Sequence, residues 1–443
     1  MTRFTAKRTP SQLGPAAWDE ILPPRAAGPV LDQGIRADVT IIGGGFAGLA
    51  AARRVRLLDP SASVVVLEAG QIAQGAAGRN SGFMIDLPHE LTSEDYAGAG
   101  DDRQIIALNR QAQGFAAGAV DDYGIDPNFF DRAGKINGAA SAAADAHNHS
   151  YARHLADLGE GCEHLDAQAM RDLTGSAHYL SGLYTPGTVM LQPAGFIRGM
   201  ADGLIRQGVR IFEHSPALGF AQQTGGWRIT TPKGHVDTGR IILTVNGHLE
   251  SFGFARGALM HLFLFAVMTP ELDPSQTDGA DRWGITPSDP MGTTLRRINS
   301  AQGGNRIITR TCAALRSNMA ARPADLARAA RVMQRKFDSR FPKLAGLKMQ
   351  YAWAGHLCLS LNNVAVMREL APGVFAGCVQ NGLGTARGTL TGMGAAELAC
   401  GVTSDITRHF TAEAAPKPLP PQPIRDIGAN AVLRWKEWKA RAD

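Results

Sequence analysis

Three glycines and one glutamate form the most chemically specific pattern in this 443-residue chain. Gly43, Gly45 and Gly48 have the spacing G-x-G-x-x-G. In such a turn the first glycine allows a tight bend, the second lets the backbone approach a pyrophosphate, and the third lets a helix pack closely on a strand. Glu68 lies 20 residues beyond Gly48, where a carboxylate accepts both ribose hydroxyls and disfavours a 2′-phosphate. The pattern predicts a site for FAD or NAD rather than NADP.

Regular secondary structure must surround these residues if they are to bind a dinucleotide. An apolar run over residues 39–42 leads into the turn, an alanine-rich helical segment extends to about Leu58, and a second apolar run over residues 64–67 ends at Glu68. The free N–H groups and the positive dipole at the start of that helix would hold phosphates. Because strand, turn, helix, strand and acid occur in this order, we predict a Rossmann-type unit. A glycine-rich turn without a ligand is the weaker alternative.

Length and composition indicate a two-domain globular protein. A chain of 443 residues exceeds what one hydrophobic core usually covers. The net charge of +5 suits an anionic cofactor, but 40 acidic residues are interspersed among 45 basic ones, so the charge does not indicate nucleic acid. The five cysteines are far apart and never form a C-x-x-C pair. This favours reduced thiols in the cytoplasm over a disulfide framework or a zinc site.

We expect a cytoplasmic protein with no membrane span. Residues 1–24 lack the apolar core of a secretory signal. The longest apolar stretch, residues 258–268, is too short to cross a bilayer and contains His261. A buried strand is the better interpretation of that stretch.

Three later segments indicate which family of nucleotide-binding proteins the chain resembles. The sequence Gly-Arg-Asn-Ser-Gly over residues 78–82 begins ten residues after Glu68, and Gln192-Pro193 opens a predicted helix that leads to a short strand. Near the C-terminus, Val374–Gly377 runs into Asn381-Gly382-Leu383-Gly384 and a closing helix. This order resembles the D-amino-acid oxidase superfamily of flavoproteins, which includes sarcosine oxidase and glycine oxidase.

Two further features are similar to gamma-glutamylputrescine oxidase-type amine oxidases within that superfamily. They are the Trp-containing N-terminal extension and the stretch Tyr-Ala-Trp-Ala-Gly over residues 351–355. The resemblance covers most of residues 15–402 and is specific at the family level. It implies an α/β fold of two domains, in which a Rossmann-type FAD-binding domain is interleaved with a mixed-sheet substrate domain.

The resemblance also implies the reaction. Hydride would leave the carbon next to the nitrogen of an amine or amino acid for N5 of non-covalently bound FAD, the imine would hydrolyse, and oxygen would reoxidise the flavin. No dedicated general base is required, and we assign no catalytic residue. One alternative is a dehydrogenase that passes electrons to a quinone or a partner subunit. Another is an RNA-modifying flavin oxidase, for which only the basic tail around Trp435 and Trp438 offers a surface.

Backbone amides of residues 78–82 suit a phosphate or a flavin edge, and Gly382 and Gly384 let the backbone approach a flat ring. The closing helix could then direct its N-terminus at the N1–C2=O edge of the flavin. For residues 78–82 the alternative is an ordinary solvated loop. For Gly382 and Gly384 it is a tight turn at the start of a helix. The predicted cofactor contacts are Gly43, Gly45, Phe46, Ala47, Gly48, Glu68, Ala69, Gly78, Arg79, Asn80, Ser81, Gly82, Ala217, Gly382, Leu383, Gly384 and Thr385.

Leu383 departs from the family pattern, and Cys358 lies near the position of a flavin-linking cysteine in some relatives. Leu383 stands where many relatives have histidine or serine, which puts contacts at the flavin edge in doubt. Cys358 lies close to where sarcosine oxidase-like enzymes place the cysteine that binds flavin covalently. A buried, inert thiol is the preferred interpretation.

Arg297, on a strand that lines the pocket in the family, and His356, after the turn at residues 353–355, are the predicted substrate contacts. A structural ion pair or a capping role is the alternative for each. His147, His149 and His154 lie on an alanine-rich helix without supporting acid ligands, so we predict a solvated face and no metal site.

The predicted domains are discontinuous because the fingerprint and the Gly382–Gly384 motif must meet across one cofactor. After an N-terminal extension over 1–37, residues 38–90, 190–250 and 355–402 would build the FAD-binding domain. Residues 91–189 and 251–354 would build the substrate domain, and 403–443 a C-terminal tail.

Overall fold

The computed structural model describes residues 2–88 and 101–443, and these form twenty strands and ten α-helices. The strands are β1 (Arg3–Thr5), β2 (Gly34–Ile42), β3 (Val64–Leu67), β4 (Phe83–Met84), β5 (Phe130–Asp131), β6 (Lys135–Ala139), β7 (Glu163–Asp166), β8 (Ser181–Thr185), β9 (Val189–Leu191), β10 (Arg210–Phe212), β11 (Gly219–Gln223), β12 (Gly226–Thr230), β13 (His235–Leu243), β14 (Leu259–Met268), β15 (Trp283–Pro287), β16 (Thr294–Ile298), β17 (Arg306–Leu315), β18 (Tyr351–Ser360), β19 (Val366–Ala371) and β20 (Val374–Cys378).

The helices are α1 (Ala17–Glu20), α2 (Phe46–Leu58), α3 (Asp102–Tyr123), α4 (Ala142–Leu158), α5 (Ala167–Thr174), α6 (Pro193–Arg206), α7 (Pro323–Arg340), α8 (Ala386–Ala399), α9 (Asp405–Ala412) and α10 (Ile424–Lys439). None of the helices in the described ranges has the length and apolar character that a membrane crossing requires.

The first sheet contains the glycine fingerprint. Its strands follow the order β1-β11-β12-β13-β2-β3-β10, and β20 also pairs with β13 and with β19. The central pairs, β13 with β2, β2 with β3 and β3 with β10, are parallel. Val64 and Val66 pack with the helical layer that includes α2 and α8, whereas Val65 and Leu67 pack with the β11–β12 side. Burial on both faces explains why these strands are continuously apolar.

The second sheet is mixed. Its eight strands follow the order β18-β14-β17-β16-β15-β6-β8-β7, and only the pair β15 with β6 is parallel among the described strands. Along β14, Phe263 and Phe265 pack with Met333 of α7, whereas Ala266 and Met268 belong to the core of the first sheet. Successive side chains of a strand point to opposite faces. One face of the sheet therefore meets α7, and the other meets the fingerprint layer.

The chain alternates between the two sheets, and β4, β9 and β5 form a small third sheet of order β4-β9-β5. Strands β2 and β3 belong to the first sheet, β6–β8 to the second, β10–β13 to the first, β14–β18 to the second, and β19–β20 to the first. The predicted α/β fold class is confirmed. The predicted boundary at residue 355 falls inside β18, which pairs only with β14 among the described strands. The exact domain limits remain a proposal.

Candidate functional site

The glycine turn joins β2 to α2. Gly43 has a φ of +109°, which glycine adopts without steric cost. A Cβ on Gly48 would lie 1.8 Å from the carbonyl oxygen of Gly43, so α2 can start this close to β2 only with glycine there. A Cβ on Gly45 would meet only Ala77 Cβ, at 3.6 Å. The first glycine and the third therefore serve the fold, while Gly45 keeps the start of α2 accessible to a phosphate.

Glu68 follows β3 and lies beside this turn. Its Oε2 accepts the N–H of Gly44 at 2.8 Å, and its Oε1 accepts the N–H of Gly70 at 2.9 Å. Burial raises the pKa of Glu68 above its ordinary value, although these two amides act in the opposite direction. Each carboxylate oxygen has further acceptor capacity for a hydroxyl group. The side chain is thus fixed where the fingerprint predicts a ribose.

We expect Glu68→Arg to lower the affinity for FAD by about tenfold to a hundredfold. A charge-assisted acceptor is worth about 1.5–3 kcal/mol, and arginine can only donate. The measurement is absorbance titration of the apoprotein with FAD. Glu68→Gln, which keeps one acceptor oxygen, should fall between wild type and Glu68→Arg. Unchanged FAD affinity in Glu68→Arg, or release of FMN instead of FAD from acid-precipitated wild type, would show that the ribose contact is wrong.

The predicted Gly78–Gly82 segment is held by its own side chains. Arg79, which is buried, donates from Nε to the carbonyl oxygen of Gln74 at 2.7 Å and from Nη1 to that of Ala354 at 3.3 Å. Burial lowers the pKa of Arg79 to about 10. Asn80 Oδ1 accepts the N–H at the end of the segment at 2.8 Å. These two side chains fix the loop, and their predicted contact with the cofactor stays a prediction.

Two buried tryptophans hold the same loop from distant parts of the chain. Trp18 Nε1 donates to the carbonyl oxygen of Asn80 at 2.8 Å, and Trp353 Nε1 donates to that of Arg79 at 3.0 Å. Gln192, which caps α6, donates from Nε2 to the carbonyl oxygen of Trp18 at 2.8 Å. Sequence reasoning placed Trp18 in an extension that precedes the first strand of the FAD-binding domain. A tryptophan in such an extension is the signal that could have indicated burial.

Arg296 is a further residue that sequence reasoning missed. It is 1% exposed, and its Nη1 donates to the carbonyl oxygens of Ser81 at 3.1 Å, Gly82 at 3.4 Å and Leu191 at 3.2 Å. Its guanidinium carbon lies 5.4 Å from the ring centroid of Phe83. Burial lowers the pKa of Arg296 to about 10. The residue thus joins the second sheet to the Gly78–Gly82 segment.

Arg297 lies on the opposite face of β16. Its Nε donates to Asn305 Oδ1 at 2.9 Å and its Nη2 to Thr277 Oγ1 at 2.8 Å. Leu295, on the same face of the strand, packs in the core that contains Phe337 of α7. Neighbouring residues of a strand point to opposite faces, so Arg297 lies on the α7 side of the sheet while Arg296 faces the Gly78–Gly82 segment. The predicted substrate contact of Arg297 stays a prediction.

His356 has a similar position on β18. Its ring stacks on Phe263 with centroids 5.0 Å apart, and its Nε2 lies 3.2 Å from Nδ1 of His261. Burial, and then the neighbouring histidines, hold the pKa of His356 well below its ordinary value. Gly355, next in the strand, is the residue that faces Arg79, since a Cβ there would lie 3.4 Å from the carbonyl oxygen of Arg79. His356 thus lies on the face of β18 that packs on Phe263, and its predicted substrate contact stays a prediction.

The C-terminal motif reaches Phe83, the residue that follows the Gly78–Gly82 segment. Thr385 Oγ1 donates to the carbonyl oxygen of Phe83 at 2.7 Å. Gly382 and Gly384 are both exposed, and a Cβ on Gly384 would meet no atom within 4 Å among the described residues. Leu383 lies between them and is half-buried. The motif thus presents bare backbone beside the N-terminus of α8, which is the geometry expected for contact with a flat ring.

Packing of α2 against α8 brings the glycine fingerprint next to the C-terminal Gly382–Gly384 motif. A Cβ on Gly392 of α8 would lie 2.1 Å from the carbonyl oxygen of Ala47, so α8 and α2 touch through their backbones. Phe46 and Ala47 are buried in the first turn of α2. Buried Ala217 lies two residues after Ser215, whose N–H donates to the carbonyl oxygen of Glu68 at 2.8 Å. The predicted segments are therefore brought together at one edge of the first sheet.

A row of polar side chains crosses the face of the second sheet that Arg296 also occupies. Asn137, Thr286, Thr294 and Arg310 stand on neighbouring strands in register. Thr286 Oγ1 donates to Asn137 Oδ1 at 2.9 Å, and Arg310 Nη2 donates to Thr294 Oγ1 at 2.9 Å. On its other side Arg310 pairs with Ala266, which pairs with the Trp353 position of β18.

This row contains unused hydrogen-bonding capacity. Buried Arg310 Nε and Asn137 Nδ2 have no hydrogen-bond partner among residues 2–88 and 101–443. Burial lowers the pKa of Arg310 to about 10, and burial lowers that of Lys135, at the end of the row, to about 8. Neither cation forms an ion pair with a carboxylate of the described chain. Sequence reasoning missed the row because its members are dispersed over residues 135–310.

The histidines of α4 are not without acid neighbours, contrary to the prediction. His149 Nε2 lies 3.7 Å from an oxygen of Asp145, and His164 Nε2 lies 3.2 Å from the other. His154 Nε2 lies 2.7 Å from Asp102 Oδ2. Asp145 lies four residues before His149 on α4 and was visible in the sequence, whereas the fold supplies Asp102 from α3 and places His164 of β7 beside His149.

A Rossmann-type nucleotide site packed against a mixed sheet defines a two-domain flavoenzyme fold. The model of the FAD dependent oxidoreductase family, abbreviated DAO, matches residues 38–398, and the chain belongs to this family. The protein is therefore an FAD-dependent oxidoreductase, and FAD is the cofactor of its family.

Individual comparisons agree with this assignment. The chain is 24% identical over 413 residues to the "Probable oxidoreductase OrdL" of Rhizobium meliloti, covering 90% of this chain and 91% of the relative. It is 27% identical over 226 residues to the gamma-glutamylputrescine oxidoreductase of Escherichia coli, covering 49% of this chain and 51% of the relative. The solved structure of glycine oxidase from Geobacillus kaustophilus superimposes with a TM-score of 0.68 at 15% identity, covering 84% of this chain and 96% of that one.

Proposed function

We propose that the protein oxidises the C–N bond of a small amine or amino acid, using non-covalently bound FAD that is reoxidised by oxygen. The observation that carries the proposal is the convergence of the glycine turn, the Gly78–Gly82 segment and the Gly382–Gly384 motif, fixed by the Thr385–Phe83 hydrogen bond of 2.7 Å. Relatives named as a gamma-glutamylputrescine oxidoreductase and a glycine oxidase act on amines or amino acids, which supports this substrate class. When bound, FAD supplies a hydride acceptor at N5.

The donor set fits FAD. The first turn of α2 offers free N–H groups at Gly45, Glu68 offers acceptors for the ribose, and exposed backbone at Gly382 and Gly384 offers a surface for a flat ring. Non-covalent binding is supported by Cys358, which is fully buried in the core on the β13 side of the first sheet. Burial raises the pKa of the Cys358 thiol well above its ordinary value, so it is a poor nucleophile.

The polar row on the second sheet would orient the substrate. Arg310 is half-buried, its Nε has no hydrogen-bond partner and its guanidinium no carboxylate partner among the described residues, and the neighbouring Leu264 and Ala266 on β14 are apolar. A guanidinium binds a carboxylate through two parallel hydrogen bonds and so fixes its direction as well as its position. We therefore place the anionic group of an amino-acid-like substrate on Arg310, in place of the Arg297 and His356 contacts that the sequence suggested.

An activity panel tests the proposed function. Purified protein should consume one of a set of amines and amino acids, with peroxide formed under air. Turnover with a dye under nitrogen but none with oxygen would replace the oxidase proposal by the dehydrogenase that serves a quinone or a partner subunit. No turnover of any amine by flavin-loaded protein would contradict C–N oxidation itself.

Arg310→Lys is expected to raise the KM for a carboxylate-bearing substrate by about tenfold to a hundredfold, because lysine cannot make the paired contact worth about 1.5–3 kcal/mol. FAD content should be unchanged. Arg297→Lys is the matched control, and its KM should equal that of wild type because Arg297 faces α7. Steady-state kinetics with the substrate found in the panel measure both. If KM rises in Arg297→Lys and not in Arg310→Lys, the substrate binds on the Arg297 face of β16 and the Arg310 assignment is wrong.

A further inference from the structure

Helix α10 is attached to the second sheet by its polar side chains. Glu437 Oε1 accepts the N–H of Ala313 at 3.0 Å, and Asn430 Oδ1 accepts the N–H of Leu315 at 3.1 Å. Asn430 Nδ2 returns a hydrogen bond to the carbonyl oxygen of Leu315 at 3.2 Å. These backbone groups lie past Arg310, the last residue of β17 that pairs with β16. The helix thus occupies the place of a missing strand and satisfies its hydrogen bonds with side chains.

The apolar side chains of α10 consequently point away from the protein. Five of them recur at helical spacing and are more than half exposed: Ile424, Ile427, Val432, Trp435 and Trp438. On a helix of 3.6 residues per turn these positions share one side. We refer to these five residues as the α10 apolar face. A surface helix ordinarily turns such a face inward, so its exposure requires a physical reason.

Cations border the α10 apolar face. Lys439 Nζ lies 4.6 Å from the ring centroid of Trp435, and the guanidinium carbon of Arg441 lies 4.3 Å from that of Trp438. Glu437 faces the protein and does not neutralise these cations, since its Oε2 also accepts a hydrogen bond from Arg328 Nη1 of α7 at 3.0 Å. Exposed Arg331 and Arg335 extend the positive surface along α7.

We propose that the α10 apolar face docks the protein on the surface of an anionic lipid bilayer, with the helix parallel to the membrane plane. Tryptophan and aliphatic side chains flanked by lysine and arginine are the pattern of an interfacial helix, and the bordering cations complement anionic headgroups. The proposal is independent of the proposed reaction.

A second copy and a nucleic acid fit this surface less well. The 16 residues of α10 span about 24 Å. A stripe one helix wide, about 10 Å, offers roughly 240 Å², well below the ~800 Å² per partner that a stable dimer buries. Nucleic acid would stack its bases on free aromatic rings, whereas Lys439 and Arg441 already lie over the two tryptophan rings and the other three residues of the face are aliphatic.

Co-sedimentation of the full-length, flavin-loaded protein with vesicles tests the proposal. We expect binding to phosphatidylcholine vesicles that contain a quarter phosphatidylglycerol, and at least tenfold weaker binding to pure phosphatidylcholine. The triple variant Ile427→Ser, Trp435→Ser, Trp438→Ser should lose at least tenfold in binding to the anionic vesicles, while its turnover equals that of wild type. Leu361→Ser removes an equally exposed apolar side chain elsewhere and should bind like wild type.

Three results would overturn the proposal. The first is absence of binding to the anionic vesicles by the wild-type protein, and the second is equal binding by the triple variant. The third is a different occupant: a dimer in light scattering that the triple variant abolishes, or single-stranded RNA that wild type retains and the triple variant does not.

Discussion

Replacing Gly45 with alanine should leave the protein folded and lower its affinity for FAD by about tenfold or more, equivalent to about 1.4 kcal/mol. The reason is geometric. A methyl group on Gly45 meets only Ala77, at 3.6 Å, so the apoprotein accommodates it. The same methyl group occupies the approach to the first turn of α2, where a pyrophosphate must come close to the backbone.

Gly48→Ala is the contrasting variant. Its methyl group would lie 1.8 Å from the carbonyl oxygen of Gly43, and α2 must move away from β2 to accommodate it. We expect the free energy of unfolding of the apoprotein to fall by about 3 kcal/mol or more, the upper range of overpacking costs. Denaturant unfolding of both apoproteins and calorimetric titration with FAD separate the two effects. Wild-type FAD affinity in Gly45→Ala, or an unchanged free energy of unfolding in Gly48→Ala, would contradict the division of roles.

Arg296→Met should be the second large effect. The variant removes a buried guanidinium that donates to three carbonyl oxygens, including those of Ser81 and Gly82. A buried acceptor that loses its partner costs about 1–3 kcal/mol. We therefore expect the free energy of unfolding to fall by at least ~2 kcal/mol, and the fraction of protein that retains FAD through dialysis to fall several-fold.

Arg297→Met is the matched control for Arg296→Met, because the two arginines are neighbours on opposite faces of β16. Arg297 also makes buried hydrogen bonds, to Asn305 and Thr277, so its removal should also destabilise the protein. FAD retention should nevertheless equal that of wild type. If Arg297→Met loses FAD and Arg296→Met keeps it, the flavin lies on the α7 side of the sheet and the site is wrong.

The contrast between these arginines shows what sequence alone could determine. The fingerprint from β2 to Glu68 was predicted in detail because its parts are close in sequence and each has a fixed spacing. The face of a strand, however, depends on its phase, and an error of one residue moves every side chain to the other face. Arg296 and Arg297 are such neighbours, and no local pattern tells which of them faces the Gly78–Gly82 segment. Only the packing of Leu295 against the α7 core resolves it.

Contacts between distant segments were beyond the sequence argument. Trp18 reaches the loop at Asn80 across 62 residues, and Arg310 reaches the polar row through pairing of strands whose register no local pattern specifies. The sequence predicted a basic tail around Trp435 and Trp438, and the structure forms helix α10 there. Its orientation could not be predicted, since the unpaired edge at Ala313 and Leu315 that attracts its polar side exists only in the folded sheet.

The two tryptophans that hold the Gly78–Gly82 segment give the protein an internal optical reporter. Trp18 and Trp353 donate to the carbonyl oxygens of Asn80 and Arg79, and FAD in the proposed site would lie next to them. Indole emission overlaps flavin absorption, so resonance energy transfer should quench these two residues when FAD is bound. Trp435 and Trp438 are more than half exposed on α10, so their emission lies at longer wavelength than that of the buried pair. Cofactor loss would then be visible, without any label, as recovered emission from buried tryptophans, to which Trp227 and Trp283 also contribute.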